Sequence, residues 1–199
     1  MKLFDNKQRI VIFTITLLAL FFISACAKEV TPPPPPPAPP AGTLEVQPPK
    51  VEQETLIQMR PMVARALKLP EEAAATLPPY LSVLALPIKF NGAGWPADEM
   101  VFVDLVIPAE VEMKGLDRAR GEDSIGIAVA TADSKGRFEA VMESTAKLNW
   151  LLRTDWLPTV KPDITTIKPL PNGTYTIRAT GIDPRTMATA TWELQLVAP

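Results

Sequence analysis

The sequence predicts a mainly β domain, an antiparallel sandwich with one or two short helices, preceded by a signal peptide and a proline-rich linker. Three observations carry this expectation. Two C-terminal stretches alternate apolar and polar residues with period two, as half-buried strands do. Further short runs of strand character recur upstream, separated by Pro- and Gly-marked connections. Before them lie a basic start, an apolar run and a segment, residues 32–49, that holds 10 of the chain's 23 prolines.

The N-terminus reads as an address. Lys2, Lys7 and Arg9 form a basic region offset only by Asp5. Ile10 to Ile23 is an almost unbroken apolar run of 14 residues. That length suits a signal-peptide core of about 7–15 residues and falls short of the roughly 20 that span a bilayer. An uncleaved signal-anchor fits the length and flanks less well. Ile23-Ser24-Ala25-Cys26 then resembles the lipobox of bacterial lipoproteins. The resemblance implies cleavage between Ala25 and Cys26, a diacylglyceryl group on the Cys26 thiol and acylation of the new amino group. Cys26 is the single cysteine of the chain. Several acyl chains, at about 0.8 kcal/mol per buried CH₂, hold a protein on a membrane far longer than one. Ala27 follows where an Asp would favour inner-membrane retention, so the resemblance implies the outer membrane. Residues 1–25 are thus the expected signal peptide. Its loss removes three cations and one anion from a chain of net charge −2, leaving a mildly acidic mature protein. The lipid, not a basic patch, supplies the attachment.

Residues 26–50 are the expected lipidated cysteine and disordered linker. Pro32 to Pro37 run consecutively. Proline has a fixed φ and no amide hydrogen, which excludes helix and inner strand and favours polyproline II at about 3.1 Å per residue.

Residues 51–199 are the expected sandwich. Leu56 to Met59 reads as a short strand, and Pro70 to Leu77 as a helix with proline and acids in its first turn. Leu81 to Phe90 reads as a strand interrupted by Pro87. Met100 to Ile107 is apolar at nearly every position, as a strand buried on both faces is. Ser124 to Ala132 and Arg137 to Glu143 flank the turn Asp133-Ser134-Lys135-Gly136 and read as a hairpin. Ser144 to Trp156 fits a second helix or a strand. Asn172-Gly173 offers a turn dipeptide. After it Tyr175, Ile177 and Ala179 share one face of a strand, and Ala188, Ala190, Trp192, Leu194 and Leu196 share one face of the next.

The stretch from Leu170 to Asp183, with Gly173, Tyr175, Ala179 and Asp183 at its fixed points, resembles the penultimate strand of bacterial immunoglobulin-like or fibronectin-like domains. The resemblance implies an immunoglobulin-like β-sandwich in which Tyr175 packs at a corner and its hydroxyl bonds backbone. The turn departs from the pattern, with Pro184-Arg185-Thr186 where a Gly-Asn is common. It speaks of fold, not activity.

The chemistry available is narrow. The chain has no histidine, so Ser-His-Asp and Cys-His catalysis are excluded, and one cysteine builds neither an internal disulfide nor a Cys-based zinc cluster. A net charge of −2 gives no footprint for nucleic acid. Ser144-Thr145-Ala146-Lys147 matches the Ser-x-x-Lys box of penicillin-binding enzymes, but its companion Ser-Asp-Asn and Lys-Thr-Gly boxes are missing. The acidic pairs Glu71-Glu72, Asp98-Glu99 and Glu122-Asp123 lack the spacing of a calcium loop. Tryptophans are more informative. Trp192 falls on the apolar phase of its strand and belongs to the core. Trp95, in a Gly/Pro-rich loop, and Trp150 and Trp156 are the candidate contact residues. The expectation is a non-enzymatic interaction or assembly module with no cofactor, no metal and no catalytic residue. Its expected partners are the membrane, through Cys26, and a protein of the envelope. A glycan- or peptidoglycan-binding module is the alternative, and a hydrolase using carboxylates or serine a more remote one.

Overall fold

The computed structural model describes residues 42–66 and 68–198. The expected signal peptide, Ala25, Cys26 and the linker as far as residue 41 lie outside them. The described chain is mainly β. Its elements are β1 (Thr43–Gln47), β2 (Lys50–Val51), helix α1 (Gln53–Ala66), β3 (Lys89–Ala93), β4 (Met100–Val106), β5 (Ser124–Thr131), β6 (Arg137–Val141), β7 (Asp155–Trp156), β8 (Pro162–Asp163), β9 (Gly173–Gly181) and β10 (Met187–Leu194). One sheet has the order β1-β3-β6 and is antiparallel. A second has the order β2-β10-β9-β4-β5 and is mixed, because β2 runs parallel to β10. β7 and β8 form a small hairpin of their own.

Each of the two larger sheets buries one face, as period-two side chains require. Val46, Phe90 and Phe138 point inward from the first, and Val103, Leu105, Ile177 and Trp192 from the second, into one apolar cluster. At about 25 cal/mol per Å² of apolar surface removed from water, such side chains supply most of the drive to fold. The C-terminal alternation is as expected. β9 and β10 pair antiparallel, with Tyr175 opposite Trp192 and Ile177 opposite Ala190. Tyr175 is buried, and its hydroxyl donates to the Pro171 carbonyl at 2.8 Å. Trp192 is fully buried and its Nε1–H donates to the Pro48 carbonyl at 3.0 Å.

Several expectations are corrected. β1 lies inside the span assigned to the linker, so strand structure begins at residue 43. Only prolines 48 and 49 fall near it, and an edge strand tolerates them at its end. Leu56 to Met59 is not a strand but part of α1, which has Glu54 in its first turn, Arg65 in its last and Leu56 and Val63 buried one above the other. Pro61 sits inside this helix and obscured its period. Leu81 to Phe90 is not one strand: Pro79–Leu84 forms a 3₁₀ turn and the strand begins at Lys89. The helix expected from Pro70 shrinks to a 3₁₀ turn, Glu71–Ala75. Ser144 to Trp156 divides into an α-turn (Ser144–Ala146), a π-turn (Lys147–Leu151) and β7. Asn172-Gly173 is not a tight turn. The Asn172 amide instead exchanges two hydrogen bonds with the Val197 backbone, at 2.8 and 3.1 Å.

Two further corrections concern the sheets themselves. β5 and β6 do not pair as a hairpin. The Asp133–Gly136 turn forms, with the Asp133 carboxylate accepting from the Lys135 and Arg137 amides, but β5 joins β4 in one sheet and β6 joins β3 in the other. β4 is buried on one face only: Val101, Val103 and Leu105 point inward while Met100 and Phe102 stand in water.

Tyr175→Phe is expected to cost about 1 kcal/mol, the worth of one hydrogen bond. Gly136→Ala is expected to cost more than Tyr175→Phe, because Gly136 has φ +69° and a Cβ there collides with the Trp95 carbonyl. Urea midpoints at unchanged m-value check both.

Candidate functional site

The sheet registers define two ends of the domain. Thr43, Ala93 and Arg137 lie in one row, as do Gln47, Lys89 and Val141 at the other end of the same sheet. In the larger sheet Met100 sits opposite Thr131, and β4 runs from there to Val106. The chain therefore enters at Gly42 beside Trp95, the 133–136 turn and Met100. The segments after Val106 and after Val141 gather at the opposite end.

Trp95 is corrected from contact residue to core. It is 4% exposed. Its ring meets Phe138 edge-on, with centroids 5.5 Å apart at 77°, and packs so closely on Gly42 that a Cβ there would stand 2.7 Å from it. Its Nε1–H donates to the Thr43 carbonyl at 3.3 Å and its amide to the Gly136 carbonyl at 3.0 Å. A Gly/Pro-rich loop reads as exposed, but here the glycines make room for an indole.

Trp150 and Trp156 do come together, at the far end. Trp150 is half-buried against the core, and Trp156 is 40% exposed. Both line a groove of about 320 Å³ with Met113, Lys114 and Thr154. Lys114, Arg153 and Asp155 also line an adjoining polar recess of about 460 Å³ that includes Thr166 and Lys168. The groove is rigidly built. Arg153 has φ +48° and donates to three carbonyls, those of Lys168 at 2.7 Å, Glu112 at 2.9 Å and Pro169 at 3.1 Å, tying three segments together. The Trp156 Nε1–H donates to Asn149 Oδ1 at 2.6 Å, fixing the ring. Lys114 Nζ meets Asp155 Oδ1 at 2.8 Å, and this contact holds the Asp155 carboxyl below its ordinary range. The Asp155 amide donates to Thr166 Oγ1 at 2.9 Å.

The β7–β8 hairpin next to the groove carries exposed apolar residues that are not among the sequence candidates. Leu157 and Ile164 are exposed, and Val160 is 80% exposed at φ +58°, a conformation unfavourable for a β-branched residue. The signal was present as Leu157, Val160 and Ile164 on and around the turn-rich run Pro158 to Pro162. Large apolar side chains grouped in water mark contact surfaces.

The remaining motifs have structural uses. Lys147 is buried, and its ammonium donates to the carbonyls of Leu86 at 2.6 Å and Leu84 at 3.4 Å, while Ser144 is exposed. Burial pushes the Lys147 pKa down. Glu99 accepts from the Asp183 amide, Glu122 from the Asp117 amide, and Asp123 pairs with Arg178 at 2.8 Å. The Arg178 hydrogen bond holds the Asp123 carboxyl below its ordinary range. Among the described residues no group of three His, Cys, Asp or Glu side chains is placed to hold a metal ion, and no helix is long and apolar enough to cross a membrane.

No protein-family model matches the sequence, and no curated protein matches it. Among solved structures the chain is similar to BslA, a bacterial hydrophobin, at 15% identity and a TM-score of 0.26, over 57% of this chain and 82% of that one. A superposition that loose carries nothing over from that protein.

Trp95→Ala is expected to cost about 3–5 kcal/mol, as removing a buried aromatic does, and Trp156→Ala about 1 kcal/mol or less. Chemical unfolding of the two variants side by side checks the contrast. Lys147→Met is expected to change the pH dependence of stability. Its folded pKa lies below the unfolded value, so the unfolded chain holds the extra proton between the two and wild-type stability rises with pH through that window. The difference between wild type and Lys147→Met, measured from neutral pH toward the ordinary lysine value of 10.5, should shift in favour of wild type.

Proposed function

We propose that this chain is a non-enzymatic lipoprotein of a bacterial envelope that presents the Trp150–Trp156 end of an immunoglobulin-like sandwich to a protein partner. The lipobox Ile23-Ser24-Ala25-Cys26 supports an acyl anchor at Cys26, and Ala27 supports the outer membrane. The shared core of the two larger sheets and the Tyr175 hydrogen bond to Pro171 support the immunoglobulin-like reading. One observation carries the contact surface. Trp156, Leu157, Val160 and Ile164, all on or next to the β7–β8 hairpin, are exposed to water. Anchoring acts by effective concentration, since a partner in the same membrane layer is met by local search. Exposed aromatic and aliphatic anchors on a rigid support are what binding hot spots use.

A second reading has its own support. A tryptophan ring fixed by Asn149 beside the Lys114–Asp155 pair offers a stacking face with hydrogen-bonding groups at its rim, the arrangement a sugar ring needs.

Cys26→Ser is expected to move the protein from the membrane to the soluble fraction on envelope fractionation. In cells carrying the anchored chain, Trp156→Ala and Leu157→Asp are expected to remove the crosslinked partner seen with wild type while leaving the circular dichroism spectrum unchanged. Loss of sedimentation with purified peptidoglycan on Trp156→Ala, with no protein crosslinked in wild type, would favour the sugar-binding reading. Turnover of any substrate by the purified protein would overturn both.

A further inference from the structure

The outer faces of the two larger sheets differ. The smaller one carries Glu45, Gln47, Lys89, Asn91, Arg137 and Glu139, with Lys89 and Glu139 paired at 3.0 Å, and one exposed large apolar residue, Val141, at its end. The larger one carries an apolar row. Val129 of β5 lies opposite Phe102 of β4, Phe102 opposite Thr180 of β9, and Thr180 opposite Met187 of β10. Val129 is 58% exposed and Phe102 41%. Met100 extends the patch on β4.

The row ends at a free edge. Among the described residues β5 has β4 as its one sheet neighbour. Among the described residues no backbone group of Ser124–Thr131 hydrogen-bonds to any segment but β4. The other edges are defended in the usual ways. β1 carries Glu45 and runs into Pro48-Pro49, β2 has 2 residues, and β6 carries Arg137 and Glu139. β5 is 8 residues long and has neither charge nor proline. A bulge at Ile127, the residue skipped between the Val103–Ala128 and Asp104–Gly126 pairs, blunts its first half. Ala128–Thr131 beyond the bulge is regular, with Val129 pointing outward.

We propose that β5 pairs antiparallel with β5 of a second copy of this chain over Ala128–Ala130, about a twofold axis through the Val129 pair. The strand is its own complement. Antiparallel pairing across a twofold axis satisfies the edge amides and carbonyls of both copies at once. With no charge on the strand, self-pairing sets no like charges opposite each other. It also sets the two exposed Val129 side chains beside each other on one face, each gaining an apolar neighbour across the axis. This surface is separate from the Trp150–Trp156 groove, and the pairing does not depend on that reading.

Cys26 is the one native cysteine, so a single added cysteine reports on one position and the unaltered chain is the blank. Val129→Cys, Thr131→Cys and Glu45→Cys are made in the full chain and oxidised mildly in membranes. Val129→Cys is expected to give covalent dimer at least about tenfold above the other two and the blank. A disulfide spans about 4.4–6.8 Å between Cα atoms, and a residue two places from the axis lies about 13 Å from its own copy. In detergent, light scattering should show a dimer that Val129→Lys weakens at least about tenfold, by opposing two lysines, and that Val129→Thr keeps. Circular dichroism of both variants confirms that the fold is unchanged. Equal crosslinking at all three positions, a monomer in wild type by light scattering, or a Val129→Cys product joined to a different polypeptide would each overturn the proposal.

Discussion

The fold turns on the seating of one indole. Trp95 closes the end of the core where the chain enters, and every element it touches is shaped to receive it. Gly42 lies flat against its ring, Gly92 leaves room for the Phe138 ring that meets it edge-on, and Gly136 takes a left-handed turn under its carbonyl. A side chain at any of the three positions would collide with Trp95 or Phe138. The same contact explains why a strand begins at Thr43, ahead of the Pro48-Pro49 pair: the Thr43 carbonyl accepts the indole N–H, and β1 is thereby held on β3. It also explains why the Asp133–Gly136 turn does not close a hairpin, since the turn is bound to Trp95 while its two strands serve different sheets.

The opposite end is built from longer loops held by polar clamps rather than by a large apolar plug. Arg153 bridges three backbone segments, and Asp155 holds both Lys114 and, through its amide, Thr166. These bonds offset the cost of keeping Trp156 and the hairpin tip in water. The result is a firm base under exposed apolar groups. The outer face of the larger sheet shows the same division of labour on a flatter surface. Its middle is occupied by the Asp104, Arg178 and Asp123 cluster, where burial pushes the Asp104 carboxyl up and Arg178 opposes that shift. The apolar row crosses the sheet beside it, two residues along β4 toward Met100.

Part of the site was legible in the sequence. Tryptophan content singled out Trp150 and Trp156, because few other residues offer so much contact area. Trp95 was misplaced because a Gly/Pro-rich loop has the composition of a surface turn whether the glycines serve flexibility or make space. Lys114, Arg153 and Asp155 carry no local signal. They are ordinary charged residues in separate segments, and only the path of the chain brings Lys114 within 2.8 Å of Asp155, 41 residues away.

The alternation of Tyr175, Ile177 and Ala179 and of Ala188, Trp192 and Leu194 determined by itself that β9 and β10 exist, that they pair and which face is buried, because period two is a local property of an extended chain. Composition likewise removed Ser-His-Asp and Cys-His catalysis without any structure. Only the tertiary structure decided that β4 shows Phe102 to water, that β5 and β6 part company at a well-formed turn, and that Leu56 lies on a helix despite Pro61. Those outcomes rest on which surfaces find a partner across the core, and side chains distant in sequence settle that through packing that no local pattern records.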